Sequence, residues 1–195
     1  MQIMFLISKR WRTFLFMWLA LAVTSTIFAS PAISWISNKN GVVRMGMADG
    51  SVYGLRLSPD VEGVFYDGRK HAIGDSSYVS VFQVSPSIPE KPEGFCGAGT
   101  EVWLYIYEVA GAELRAKTRI LVSSCLRSIS LASQRSGEEA QESDFSSVQW
   151  NEQGFSIEWF DHVDAAGRPL SSTNYVVRGN VFSPMEVLSK ESLGE

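Results

Sequence analysis

Few side chains in this sequence can transfer a proton near neutral pH. The chain has two histidines, His71 and His162, and histidine is the side chain whose ordinary pKa lies in that range. His162 stands between Asp161 and Asp164, whose carboxylates could orient an imidazole or contribute to a cation site. Because neighbouring residues at the end of a strand point in different directions, we interpret this cluster as a solvated turn.

A serine in the block Gly74-Asp75-Ser76 is the other candidate for catalysis. The block resembles the nucleophile block of the GDSL-type esterases. That family has a histidine three residues after an aspartate near its C-terminus, whereas here Trp159 stands three residues before His162. The block also lies between short predicted strands instead of opening a domain. We therefore interpret it as a turn, and a secreted hydrolase is the third of our functional hypotheses.

The two cysteines, Cys96 and Cys125, predict a disulfide. In an oxidising compartment a single pair of cysteines usually bonds, and closing a loop of this length contributes about 3–4 kcal/mol in the chain-entropy treatment. Two cysteines without a nearby histidine fall short of the four ligands of a structural zinc site. The segment CGAGTE at 96–101 lacks the third glycine and the helix of a dinucleotide fingerprint. The sequence therefore predicts no metal site, no cofactor and no catalytic residues.

The first 32 residues are typical of a secretory signal peptide. A basic start at Lys9, Arg10 and Arg12 is followed by an apolar run at 14–23 and by small residues at 29–32, which is the order of such a segment. We expect cleavage near 29–32 and a periplasmic or secreted protein. The alternative is an uncleaved anchor in the inner membrane with the domain facing the periplasm, although spanning a bilayer takes about 20 apolar residues.

The predicted mature chain is acidic. All 21 Asp and Glu residues lie after position 32, together with 14 of the 17 Lys and Arg residues, which leaves a net charge of −7. This balance argues against nucleic acid and against anionic membrane surfaces, both of which attract basic proteins. It favours a protein partner with a basic surface. Membrane contact is expected only if the N-terminal segment remains uncleaved.

Alternating apolar residues between turn signals predict a mainly β protein. We place one domain at 33–184, which is long enough for its own core, and a frayed tail at 185–195. The polar stretch 133–144 predicts an exposed loop or a short surface helix. Strands are predicted at 42–47, 52–57, 64–66, 78–84, 101–109, 114–122, 145–150, 155–160 and 174–182. Short strands at this spacing favour a small antiparallel sandwich, a barrel or blade-like sheets, with one disulfide.

The segments 101–109 and 114–122 predict a hairpin with a three-residue loop at 110–112. In that register Val109 faces Glu113, and the apolar residues of both segments share one face, as burial of that face requires. The other face collects the residues that dominate binding hot spots, namely aromatics and arginine. This predicted partner-binding face pairs Trp103 with Arg119, Tyr105 with Lys117 and Tyr107 with Arg115. The alternative is that another part of the chain covers it.

The open end of this hairpin is the second candidate surface. One extra residue before the first strand, as in a β-bulge, would align Cys96 with Cys125. The disulfide would then hold the following loop in shape for a partner. The candidate loop residues are Gly97, Ala98, Gly99, Thr100 and Glu101.

The general profile of the chain is similar to that of the periplasmic inhibitors and immunity proteins of Gram-negative bacteria. Those proteins are exported, small, β-rich and non-enzymatic, and they block cell-wall hydrolases or toxins. The leading hypothesis is therefore an exported, non-enzymatic binding protein of this kind. The alternative is an envelope-associated structural or accessory protein that its N-terminal segment retains.

Overall fold

The computed structural model of this chain describes residues 33–91, 93–134 and 143–190. The segment predicted as a signal peptide and most of the polar stretch 133–144 lie outside these residues. The strands are β1 (Ser34–Ser37), β2 (Val42–Gly46), β3 (Val52–Arg56), β4 (Gly63–Tyr66), β5 (His71–Ile73), β6 (Ser76–Pro86), β7 (Thr100–Ala110), β8 (Glu113–Ser124), β9 (Ser130–Leu131), β10 (Val148–Asn151), β11 (Gly154–Asp161), β12 (Leu170–Arg178) and β13 (Val181–Leu188). A 3₁₀ turn spans Ala132–Gln134. In the described ranges no helix is long and apolar enough to cross a membrane.

The strands form three antiparallel sheets. The large sheet has the order β1-β4-β6-β7-β8, with β5 also paired to β6. The second sheet has the order β10-β11-β12-β13, with β9 paired to β11, and β2 and β3 form a separate hairpin. The mainly β, antiparallel prediction is confirmed, and none of the three sheets closes into a barrel.

The large sheet is buried on both faces, which explains the composition of its central strand. Every residue from Tyr78 to Val84 in β6 is buried, and a strand covered on both faces must be apolar almost throughout. On one face Phe82, Leu104 and Ile106 pack against Phe155 and other residues of the second sheet. On the opposite face the alternating residues of the β2–β3 hairpin form a second core with β4, β6 and β7; its hairpin members are Val43, Met45, Tyr53 and Leu55.

The hairpin of β7 and β8 exists, but its predicted register was wrong. Ala110 pairs with Glu113, so the loop has two residues, and Gly111 in that loop takes a left-handed φ of 64°. Two irregularities then shift the pairing along the ladder, leaving Lys117 and Val122 without partners opposite them. Such bulges place two residues of one strand against one of the other, and they are what keeps the apolar residues on the core face despite the shorter loop.

The C-terminal part of the domain differs from the prediction. The predicted strand 174–182 is two strands, β12 and β13, because Gly179 takes a left-handed φ of 64° in a turn between them. The predicted frayed tail was also wrong at its start, since β13 continues to Leu188, which pairs with Leu170. Pro184 lies inside β13 and suggested an end to regular structure, but an edge strand tolerates proline because one side of its backbone needs no partner.

Candidate functional site

The predicted disulfide between Cys96 and Cys125 is confirmed, with the two Cα atoms 5.6 Å apart. It joins the loop before β7 to the turn after β8. We call the residues around it, 93–99 and 125–128, the disulfide-closed tip. The predicted alignment by one extra residue was wrong, because both cysteines lie in turns beyond the ladder, which ends where Glu101 pairs with Ser124.

Consecutive turns bring Cys96 back to the end of β8. The Gly97 N–H donates to the Gly94 carbonyl at 2.7 Å, and the Gly99 N–H donates to the Cys96 carbonyl at 3.0 Å. Cys96 itself takes a left-handed φ of 58°. A Cβ at Gly99 would lie 3.2 Å from the Cβ of Cys125, so the close approach of the two segments favours glycine there. The tip is thus held by backbone hydrogen bonds as well as by the covalent bond.

The tip exposes two large apolar side chains. Phe95, beside Cys96, is 87% exposed, the highest value among the large exposed hydrophobic residues of the described chain. Leu126, beside Cys125, is 49% exposed. The disulfide joins their neighbours, so both side chains are displayed at one end of the domain. Two large apolar side chains left open to water at one end of the domain, on a backbone that is held in place, favour an interaction surface there.

A groove of about 440 Å³ lies directly beside the tip. Gly99 and Thr100 from the candidate loop contribute to it, as does Val102 from β7. The remaining lining residues come from the end of β8, the turn to β9, the 3₁₀ turn and β11, and they are Ser123, Ser124, Cys125, Ser128, Ile129, Ser130, Gln134 and Asp161. The lining is rich in hydroxyl groups, and Asp161 is the one charged side chain among the described residues that form it.

Hydrogen bonds to Gly99 and Glu101 of the candidate loop hold the tip in place. Ala98 is exposed and Gly97 is buried. The Ser87 hydroxyl donates to a carboxylate oxygen of Glu101 at 2.9 Å, and the Ser87 N–H donates to the Gly99 carbonyl at 2.9 Å. These bonds join the loop to the end of β6.

The three aromatic residues of the predicted partner-binding face lie together but are partly covered. Tyr107 is 6% exposed and belongs to the core beneath the β2–β3 hairpin. Gln83 Nε2 donates to its hydroxyl at 3.0 Å, and burial raises the pKa of Tyr107. Tyr105 is half-buried against the same core, whereas Trp103 is half-buried beyond it. The β2–β3 hairpin therefore covers much of this face.

Of the three predicted cations, Arg119 alone shares that face. It pairs with Tyr105, and its guanidinium carbon lies 5.1 Å from the ring centre of Trp103. Arg115 instead pairs with Glu108, and Lys117 Nζ lies 3.4 Å from Glu108 Oε2 and also contacts the side chain of Asn180. The two bulges and the shorter loop account for this, because each one-residue shift exchanges the faces of a strand. The six-residue face is therefore not formed.

Both histidines are engaged in packing contacts. The ring of His71 stacks on Trp150 with centroids 4.3 Å apart, and its Nε2 lies 2.8 Å from Asp67 Oδ2. His162 packs against Trp159 at 4.5 Å, and burial lowers its pKa although Asp161 and Glu186 act in the opposite direction.

The solvated turn predicted around His162 was only partly right. Asp164 is 8% exposed, and it accepts hydrogen bonds from the backbone N–H groups of Ala166 and Arg168 and from the Arg168 guanidinium. These bonds lower the pKa of Asp164. The carboxylate therefore organises the loop between β11 and β12.

The described residues around Ser76 do not form the catalytic group that a hydrolase would need. The Ser76 hydroxyl donates to Glu108 Oε1 at 3.1 Å, and in the described part of the chain it forms no hydrogen bond with a histidine. Among the same residues, no group of three or more His, Cys, Asp or Glu side chains could hold a metal ion.

Phe95 and Leu126 were missed by sequence reasoning, and Asp161 was considered there only beside His162 and interpreted as part of a solvated turn. The position of Phe95 and Leu126 next to the two cysteines was a usable signal, because residues beside a surface disulfide cannot all point into the core. Asp161 had no such signal, since its place in the groove depends on the pairing of β11 with β9.

Protein-family models, curated proteins and solved structures were compared with this chain, and none of them matches it.

Proposed function

We propose that this protein is an exported, non-enzymatic binding protein whose disulfide-closed tip contacts a protein partner. The observation that carries the proposal is the 87% exposure of Phe95 on a backbone held by the Cys96–Cys125 disulfide. Aromatic anchors of this kind carry a large share of binding energy in protein interfaces. A loop that is already ordered loses little conformational entropy when it binds.

The partner is a protein with a basic surface. The predicted mature chain has a net charge of −7, and opposite charge accelerates association between proteins. In this proposal the protein is a periplasmic inhibitor or immunity protein that blocks a cell-wall hydrolase or a toxin. The disulfide supports export, because such bonds persist in oxidising compartments. N-terminal sequencing of the exported protein should find a start between Ser30 and Ile33, whereas an intact Met1 in the membrane fraction would favour the anchor.

A quantitative pull-down from envelope extract tests the tip. The bait is the protein purified from cells that express the full chain, as wild type, Phe95→Ala and Val52→Ala. Val52 is a matched control because it is 61% exposed on the β2–β3 hairpin. Phe95→Ala should reduce the retained partner by at least about tenfold, as loss of a hot-spot residue does. Equal retention by all three proteins would contradict the proposal.

A second candidate function is supported by the outer face of the second sheet. Val181, Met185 and Val187 of β13 are 62%, 47% and 42% exposed, and they alternate along one face of an edge strand. Such a face suits an envelope-associated accessory protein that acts within an assembly. Val181→Asp should then release the protein from a complex seen in envelope extract by size-exclusion chromatography, while Phe95→Ala should not.

A further inference from the structure

The groove beside the disulfide-closed tip has one negative charge and several free acceptors. The Asp161 carboxylate makes no ion pair or hydrogen bond to another described residue, and neither do the hydroxyl groups of Ser123, Ser128 and Ser130. No lysine or arginine is among the described residues that line the groove. A cationic group with several donors would therefore find acceptors there and no lysine or arginine among the described lining residues.

We propose that this groove binds the guanidinium group of an arginine side chain on the partner, with Asp161 as the residue that selects for positive charge. The inference rests on the proposed function and names the chemistry that the groove beside Phe95 recognises. Phe95 and Leu126 would contact apolar surface of the partner. The arginine would enter the groove next to them.

Arginine fits the lining better than the other common ligands. The guanidinium presents five N–H donors in a planar fork, and the hydroxyl-bearing residues Thr100, Ser123 and Ser130 line the groove together with Asp161. An anion would face Asp161 without a compensating lysine or arginine among the described lining residues. A sugar would lack an aromatic platform, since none of the described residues that line the groove is aromatic.

Titration with a small probe, followed by two-dimensional ¹H–¹⁵N NMR, tests the groove without the partner. The probe is Nα-acetyl-arginine methylamide, and its neutral control is the citrulline analogue, which has nearly the same shape and no charge. The protein is produced from the full chain as wild type, Asp161→Asn and Glu158→Gln. Glu158 is a matched control because it is an exposed carboxylate on the same strand, β11.

The arginine probe should shift the backbone amides of Gly99, Ser124 and Ser130 saturably. Its dissociation constant should rise about threefold to fivefold with Asp161→Asn, the range expected for an ion pair open to water, and should not change with Glu158→Gln. The citrulline analogue should bind wild type more weakly by a similar factor.

Equal binding of the two probes, an unchanged constant with Asp161→Asn, or shifts confined to other surfaces would overturn the proposal. Shifts of the same amides by an N-acetylglucosamine disaccharide, without shifts by the arginine probe, would show a sugar site and also overturn it. The proposed function fails separately. If Phe95→Ala loses the partner while the arginine probe leaves the groove unchanged, the tip remains the interface and only the groove assignment is wrong.

Discussion

The two ends of the long β7–β8 hairpin are stabilised in different ways. At the loop end, Val109 and Leu114 pack against the core beneath the β2–β3 hairpin. On the other face of that end, Lys117 contacts Glu108 and Asn180. At the opposite end, the Cys96–Cys125 disulfide and the adjacent turns close the hairpin, and the side chains beside the cysteines are exposed.

This difference indicates where the molecule can devote surface to binding. An end that is stabilised by packing has to bury its apolar residues, and changing them lowers the free energy of unfolding. An end that is closed covalently can leave Phe95 and Leu126 in water without losing its shape. We therefore expect mutations in the core between the two ends to change stability, and mutations at the tip to change binding.

The largest expected effect is on stability, at the centre of the hairpin. Leu104 is fully buried between the large sheet and the second sheet, and Leu104→Ala should lower the free energy of unfolding by about 2–5 kcal/mol. Phe95→Ala should change it by no more than about 0.5 kcal/mol, as surface substitutions do. Urea denaturation of both variants measures these changes. Similar losses of unfolding free energy in the two variants would contradict the distinction between core and tip.

The next largest effect concerns the disulfide. Replacing Cys96 and Cys125 by serine should lower the free energy of unfolding by about 3 kcal/mol, because the unfolded chain gains freedom. Amide hydrogen exchange should show the greatest loss of protection around Gly97 and Gly99, whose N–H groups are bonded within the tip. Loss of protection that is as large around Gly111 would mean that the two ends are not independent.

A smaller effect is expected on the partly covered aromatic face. Tyr105→Ala should lower the free energy of unfolding by about 1–2 kcal/mol, because its half-buried ring stacks with Tyr107 at 5.9 Å between centroids. Arg119→Ala should change it by less than about 0.5 kcal/mol, because the side chain is exposed. Thermal melts of the two variants provide the comparison. An Arg119→Ala loss as large as that of Tyr105→Ala would show that the cation stabilises the fold.

The smallest effect is a pH dependence near the groove. Burial lowers the pKa of His162 in the folded protein below its ordinary value of 6.5, so the unfolded chain binds the proton more readily. The buried, neutral His162 therefore makes its full contribution to the free energy of unfolding above about pH 6.5. That contribution is lost as the pH falls towards the pKa of His162 in the folded protein. His162→Gln should therefore reduce the decline in stability between pH 7 and pH 5. An identical decline in wild type and variant would assign it to other groups.

The fold was largely predictable because its signals are local. Alternation in β2 and β3 with the turn at Asp49-Gly50, and the continuous apolar run of β6, identified strands that the structure contains. The disulfide followed from the number of cysteines and from the signal-like N-terminus, although the alignment offered for it was wrong. Those features depend on residues that are close in sequence or on simple counts.

The candidate site was less predictable because it depends on register and on distant strands. A bulge at Lys117 hardly changes the pattern of apolar and polar residues along β8. It nevertheless places the Lys117 side chain on the opposite face. The groove requires β9 to pair with β11, which brings Ser130 opposite Asp161 across 31 positions of the chain. No periodicity within β8 or β11 predicts that Ser130 pairs with Asp161. Tertiary pairing therefore determined the site, and only its loop residues Gly99 and Thr100 were expected.

Site-specific photo-crosslinking in cells that export the protein tests the central claim most directly. A benzophenone amino acid is placed at position 95, on the disulfide-closed tip, or at position 181, on the outer end of the second sheet. Both positions are exposed, at 87% and 62%, so the probes have comparable access to solvent. The account predicts a discrete protein adduct from position 95 and none of the same mass from position 181. An adduct from position 181 alone would contradict it and would identify the second sheet as the interaction surface.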